Sequence, residues 1–213
     1  MDVVIAGGHG KIALRLEALL SREGHRARGL IRNPDQAADL EAAGAEAVVC
    51  DLEAEDDLSG RLRSADAVVF AAGAGPGSGP ARKRTMDLGG AVKLLDAAKA
   101  TGVRRYVIVS SVGADDPSAG SEQMRPYLEA KAEADRAVAA SGLDFTIVRP
   151  GRLTDDPGTG LVDVAEHLGR RGSVPRDDVA AVLYAVLQED RTIGKTFELL
   201  SGDTQIAQAL HRL

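Results

Sequence analysis

The chain has 213 residues, 44% of them hydrophobic and 27% charged, with 26 Lys and Arg against 32 Asp and Glu. That length suits one domain with a substantial core and falls short of two full-sized ones. The net charge of -6 is unrelieved by any basic half able to neutralise a run of phosphates, which argues against a nucleic-acid partner and leaves a small molecule as the expected ligand.

At the N-terminus an Asp follows Met1 directly and the apolar run is short, so neither a signal peptide nor a membrane span is expected; a cytoplasmic protein fits. That run, DVVIA (Asp2 to Ala6), predicts a strand, and the stretch GKIALRLEALLSRE from Gly10 predicts a helix. Gly7, Gly10 and Ala13 form G-x-x-G-x-x-A across the turn between them. The first glycine permits the tight turn, the second lets the backbone approach a pyrophosphate, and the small third residue lets helix pack closely on strand. Backbone N–H groups and the positive end of the helix dipole then face phosphates, so a dinucleotide is expected. His9 lies within the turn and is placed to touch it.

RARGLI (Arg26 to Ile31) predicts the second strand and runs into Arg32 and Asn33, with no acid until Asp35. A carboxylate at that point accepts from the adenosine ribose 2′-hydroxyl of NAD, whereas an arginine accommodates a 2′-phosphate, so NADP(H) is favoured over NAD(H). AEAVV predicts the third strand, and Cys50 at its end, the single cysteine, is read as a buried structural thiol. Asp51 is placed either to accept from the adenine amino group or to cap a following helix. DAVVF (Asp66 to Phe70), RRYVIVS (Arg104 to Ser110) and DFTIV (Asp144 to Val148) predict three more strands, with the helical GGAVKLLDAAKATG between the first two. Strand and helix alternating in this way predict an α/β fold, a doubly wound parallel sheet whose strands are apolar throughout because both faces are covered.

Gly-, Pro- and Ser-rich loops at Ala71 to Arg82, Ser111 to Glu122 and Arg149 to Gly160 each follow a strand. All three are expected at the carboxyl edge of the sheet, where open α/β folds bind ligands. Beyond Gly160 come a possible strand LVDVAEHL, a helix opening with PRDDVAAVLYAVLQE, a short strand KTFELL and a helical tail. Residues 1–213 are therefore expected to form a single domain, with a dinucleotide-binding core over about 1–150 and a small cap beside the crevice over about 151–213.

Several segments taken together resemble the short-chain dehydrogenase/reductase superfamily, and in particular its atypical branch of small single-domain NADP-binding proteins. They are the Gly7/Gly10/Ala13 turn, IRNP (Ile31 to Pro34), CDL (Cys50 to Leu52), FAAGAG (Phe70 to Gly75), VSSVGAD (Val109 to Asp115), YLEAKAEADRAVAASGLDFTIVRPGRLTD from Tyr127, and SVPRDDVAAVL (Ser173 to Leu183). The resemblance spans nearly the whole chain and implies a Rossmann fold. It gives Tyr127 the role of exchanging a proton with substrate while hydride moves to or from nicotinamide. Lys131 lies four residues on, on the same helix face, and is implied to lower the phenol's pKa and hold the nicotinamide ribose. Ser111, or Ser110, is implied to hydrogen-bond the reacting oxygen. Where the full superfamily tetrad has an asparagine this chain has Asp87, whose negative charge near the tyrosine is expected to alter proton relay. The cofactor set implied by the resemblance adds Lys11 and Ile12 after the turn, Leu52 beside Asp51, and Ala71, Ala72 and Gly73 after the fourth strand. Arg149, Pro150 and Gly151 resemble the segment beside the nicotinamide, with Pro150 and Leu153 as its expected contacts.

A purely structural alternative makes Tyr127 a half-buried packing residue and pairs Lys131 with Asp135 on the surface. Arg82, Lys83 and Arg84 either draw an anionic substrate or form a solvated cluster, and Arg176 either faces the pocket or pairs with Asp177 or Asp178. The four histidines show no metal spacing, so no metal is expected. The expected function is an NADP(H)-dependent oxidoreductase acting on a small carbonyl or hydroxyl compound. The alternatives are a sugar epimerase or dehydratase-like enzyme, a flavin- or biliverdin-type reductase, and a non-catalytic NADP(H)-binding redox sensor. The short C-terminal part weighs against a bulky nucleotide-sugar, and the intact Tyr127/Lys131 pair weighs against the sensor. No apolar stripe is clear enough to assign an oligomeric state.

Overall fold

The structure is a computed structural model that describes residues 1–75 and 77–213. In chain order, β1 (Asp2–Ala6), α1 (Lys11–Arg22), β2 (Arg26–Ile31), α2 (Ala37–Ala42) and β3 (Glu46–Val49) build one half. The other half consists of β4 (Ala67–Phe70), α3 (Pro80–Arg82), α4 (Ala91–Thr101), β5 (Arg105–Val109), α5 (Arg125–Ala139) and β6 (Asp144–Pro150). Then follow β7 (Arg152–Thr154), β8 (Leu161–Ala165), β9 (Ser173–Pro175), α6 (Arg176–Gln188), β10 (Lys195–Ser201), β11 (Thr204–Gln205) and α7 (Ile206–Leu210).

The sheet order is β11-β8-β10-β6-β5-β4-β1-β2-β3, with β7 and β9 in a separate parallel ribbon. From β3 to β10 every pairing is parallel, whereas β8 is antiparallel to β10 and β11 to β8. The chain leaves β1 toward β2 and β3 and resumes on the other side at β4. That reversal opens a crevice at the carboxyl ends of β1 and β4, as a doubly wound sheet requires.

Strand alternation divides the core between the two faces. Val3 and Ile5 of β1 join Leu16 and Leu20 of α1 and Val179 and Leu183 of α6 on one side. Val4 and Ala6 face Leu94 and Ala98 of α4 and Val138 of α5 on the other. Each leucine or valine so buried contributes roughly 1.5–3 kcal/mol, which is why these strands are apolar on both faces.

Two expectations change in detail. The helix expected from Gly89 begins at Pro80 and runs unbroken to Thr101, and its middle, Lys83–Gly90, is π-helical. The residues after Pro150 divide between two tasks. Phe197 and Leu199 are fully buried, so β10 extends the main sheet beside β6, with α6 covering that face against α1. The ribbon of β7 and β9 and the segment Gly169–Gly172 stand beside the crevice.

Candidate functional site

Gly7 has φ +82°, a left-handed backbone that side-chain-bearing residues rarely adopt, and a Cβ there would lie 2.7 Å from the Ala72 Cα at the end of β4. The turn is closed by the Gly10 N–H donating to the Gly7 carbonyl at 2.8 Å. Ala13, the small third residue, is completely buried. Among the described residues, the N–H groups of Lys11, Ile12 and Ala13 find no acceptor, and α1 has no side-chain N-cap. Unpaired first-turn donors beside a backbone stripped of side chains are the arrangement that accepts phosphate oxygens. These residues therefore fit a dinucleotide at this turn.

A cleft of about 1480 Å³ opens where the loops after β4, β5 and β6 meet. Ile12, Ala71, Ala72, Gly73, Pro150 and Leu153 line it, as do Asp87, Ser111, Tyr127 and Lys131. Its volume exceeds the roughly 300–1,000 Å³ of a single small-molecule site. The cofactor-set residues Gly7, His9, Gly10, Lys11, Arg32, Asn33, Asp51 and Leu52 are not part of its wall. His9 is 2.7 Å from Asp39, and the Asn33 side chain accepts from the Asp35 N–H at 3.1 Å. Asp51 accepts from the Glu53 N–H at 2.9 Å, closing a turn where no regular helix follows. Leu52 is a core residue. The Arg32 side chain, 58% exposed, stands 3.7 Å from Glu53, which also takes Arg82 at 3.3 Å and the Thr85 hydroxyl at 2.6 Å.

The lysine is held on three sides. Lys131, its side chain 4% exposed, donates to the Val109 carbonyl at 3.0 Å and stands 3.3 Å from Asp87 Oδ1. Its ammonium is 5.8 Å from the centre of the Tyr127 ring. The surface pairing of Lys131 with Asp135 does not occur, because Lys131 reaches inward to the ends of β4 and β5. Asp87 comes from the π-helical stretch, a geometry that recurs at functional sites. It is buried, and its Oδ2 accepts from the Ala74 N–H at 3.2 Å while, among the described residues, Oδ1 makes no hydrogen bond, so charge holds it to Lys131.

The two serines part company. Ser110 is buried and donates to Asp135 Oδ2 at 2.9 Å, whereas Ser111 lines the cleft and donates only to the Val112 carbonyl at 3.2 Å. Asp135 also accepts from Arg149 Nε at 2.9 Å. Burial pushes the Asp135 carboxyl up, opposed by Arg149 and the serine. This buried trio of Ser110, Asp135 and Arg149 ties α5 to the ends of β5 and β6 behind the cleft. Sequence reasoning missed it; the signal available was Arg149 at the end of an apolar strand, a charge that needs a buried partner.

The outer wall carries ion pairs. Asp155, just after β7, accepts from Lys11 at 2.6 Å and from Arg176 at 2.8 Å, and Asp177 takes Arg15 instead of Arg176. Arg82 and Arg84 pair with Glu53 and Glu133, leaving Lys83 as the member of that cluster in the cleft wall. Burial pushes the Cys50 thiol up to about 12, an inert thiol. Among the described residues no three His, Cys, Asp or Glu side chains gather as metal ligands, and no helix is long and apolar enough to cross a membrane.

A model of the NAD(P)H-binding family matches residues 7–190. Over 215 residues the chain is 41% identical to a Bacillus subtilis (strain 168) protein described as an uncharacterized sugar epimerase, YhfK, with 100% of both chains covered. A solved Bacillus halodurans structure, provisionally described as an NAD-dependent epimerase/dehydratase, superposes with a TM-score of 0.96 at 43% identity over 100% of both chains. The oxidoreductase ylbE from Lactococcus lactis follows with a TM-score of 0.87 and 27% identity, over 100% of this chain and 96% of that one.

Proposed function

The chain belongs to the NAD(P)H-binding family, and from that premise we propose that it is an NADP(H)-dependent oxidoreductase acting on a small carbonyl or hydroxyl compound. The observation that carries this reading is the convergence of Ser111, Tyr127 and the buried Lys131 on one cleft beside the glycine turn. A bound nicotinamide supplies or takes the hydride. In the reducing direction the Tyr127 hydroxyl donates the proton to the substrate oxygen, while Ser111 donates a hydrogen bond to it. The Lys131 ammonium favours the phenolate that remains, as a nearby opposite charge does. Asp87, 3.3 Å from Lys131, balances part of that charge. Preference for NADP(H) rests on Arg32, whose exposed side chain is loosely paired and free to meet a 2′-phosphate.

The test is Tyr127→Phe. NADPH oxidation with aldehydes is expected to fall by roughly 10²–10⁴-fold with nucleotide affinity intact, the usual worth of a positioned acid. Activity retained by the variant refutes the acid/base role and points to hydride transfer to a planar acceptor of the flavin or biliverdin kind.

A second reading, epimerisation or dehydration with a transient oxidation, is favoured by the descriptions of the two Bacillus relatives. It uses the same tyrosine but consumes no net cofactor, so inversion or dehydration of a sugar without change in nucleotide absorbance would establish it.

A further inference from the structure

The chain is acidic overall, yet the described wall of the cleft carries Lys83, Lys131, Arg152, Arg170, Arg171 and Arg176 against four carboxylates. Each of those carboxylates is already engaged. Asp87 faces Lys131, Asp115 lies 3.5 Å from His167, Asp116 accepts from Ser118, and Glu198 accepts from the Leu168 N–H at 2.7 Å. Of the cations, Arg170 is held by Asp163 and the Ser201 carbonyl, and Arg176 by Asp155. Among the described residues, Arg152 and Arg171 have no acceptor for their guanidinium groups and Lys83 has none for its ammonium, and of these three only the two arginines lie on neighbouring backbone.

Their backbones are fixed close to one another. The Arg152 N–H donates to the Gly172 carbonyl at 3.0 Å, and Arg152 lies opposite Ser173 in the ribbon of β7 and β9. The Gly151 N–H donates to the Leu199 carbonyl at 3.0 Å, and a Cβ on Gly151 would come within 2.6 Å of the Gly172 carbonyl. Glycines thus seat the ribbon tightly on β10, while the two side chains remain exposed at the cleft. They stand beyond Pro150 on the ribbon side of the wall, on elements separate from the first turn of α1 whose N–H groups suit the cofactor's phosphates.

We infer that Arg152 and Arg171 form the substrate's anchor, gripping a carboxylate carried by the carbonyl compound that this cleft accepts. The inference rests on the oxidoreductase reading above. Planar guanidinium forks match a carboxylate in bidentate geometry, and charge-assisted bonds of this kind are the strong ones. The two unpaired arginines sit together on the wall of a cleft with room for two ligands.

The experiment measures binding of 4-carboxybenzaldehyde, its methyl ester and 4-formylphenyl phosphate to the NADP⁺-saturated protein by calorimetry, and repeats it with Arg152→Gln, Arg171→Gln and the double variant. The acid is expected to bind at least about tenfold more tightly than the ester, with that advantage lost in the double variant and NADPH affinity unchanged. An acid that binds no better than its ester, or an advantage that survives the double substitution, overturns the inference. Tighter binding of the phosphate ester would assign the anchor to a phosphate instead and overturn it as stated. Weakened NADPH binding in the variants would assign the arginines to the cofactor and overturn it as well. NADPH oxidation is followed on the same samples. Selective binding of the acid without turnover leaves the anchor standing and removes carbonyl reduction.

Discussion

Glu17 lies on the buried face of α1, fully shielded from solvent, and among the described residues neither carboxyl oxygen has a hydrogen-bond partner. It fills space that two glycines leave open. A Cβ on Gly29 would lie 2.5 Å from Glu17 Oε1, and one on Gly8 would lie 3.1 Å from it. Burial pushes the carboxyl from its ordinary 4.5 up to about 8. Between those two values the folded chain keeps a proton that the unfolded chain gives up, so raising the pH favours unfolding. The loss is absent below about pH 4.5 and complete above about pH 8. At about 1.4 kcal/mol per pH unit it amounts to at most about 5 kcal/mol, a large part of the 5–15 kcal/mol that holds a domain together. Glu17→Gln keeps the shape of the protonated acid and removes the titration. Urea unfolding of both proteins at pH 5, 7 and 8.5 should give nearly equal stabilities at the lowest pH and a gap of several kcal/mol, in favour of the glutamine, at the highest. Comparing the two at each pH cancels the other titrating groups, Asp135 among them. A gap that does not grow with pH would sink the argument. Glu17→Leu, which also removes the unpaired polar atoms, should gain a further 1–3 kcal/mol or so at every pH.

Three further outcomes are expected. Asp87→Asn leaves the buried Lys131 without the carboxylate that faces it, so urea unfolding should show a loss of about 3 kcal/mol. Arg32→Ala should weaken NADPH about tenfold or more by calorimetry and leave NADH binding nearly unchanged, since the ribose 2′-phosphate is the sole difference between the two. Arg149→Met leaves Asp135 buried without its cation, and chemical unfolding should show a loss of roughly 3–5 kcal/mol; joining it with Asp135→Leu should recover much of that.

The fold was legible because its strands are short, apolar on both faces and punctuated by glycine turns, which fixes element type without knowledge of tertiary contacts. Tyr127, Lys131 and Asp87 were legible as a set only through resemblance, although the four-residue spacing alone places the first two on one helix face. What could not be read is long-range pairing of side chains. Nothing near Lys131 in sequence announces that it turns inward to Val109, and nothing near Arg149 announces Asp135. The helix start at Pro80 is hidden by the Gly- and Pro-rich composition before it, and the KTFELL strand is legible as a strand while its place beside β6 in the main sheet is not, since sheet pairing is a long-range contact. Glu17 sits at a position where the helical pattern alone calls for an apolar residue, and the two small residues that make room for it come from other elements.

The bridge that Asp155 makes between Lys11 and Arg176 joins the phosphate-facing turn to the wall across from it. Asp155 is exposed in both pairs, so water and salt screen them and each is weak. A strap that weak does little to equilibrium affinity, and if the turn holds the cofactor's phosphates as proposed, they compete with Asp155 for Lys11. On that reading the bridge acts on residence time. Exchange of nucleotide should quicken as ionic strength rises, because salt loosens the strap and the phosphate contacts together.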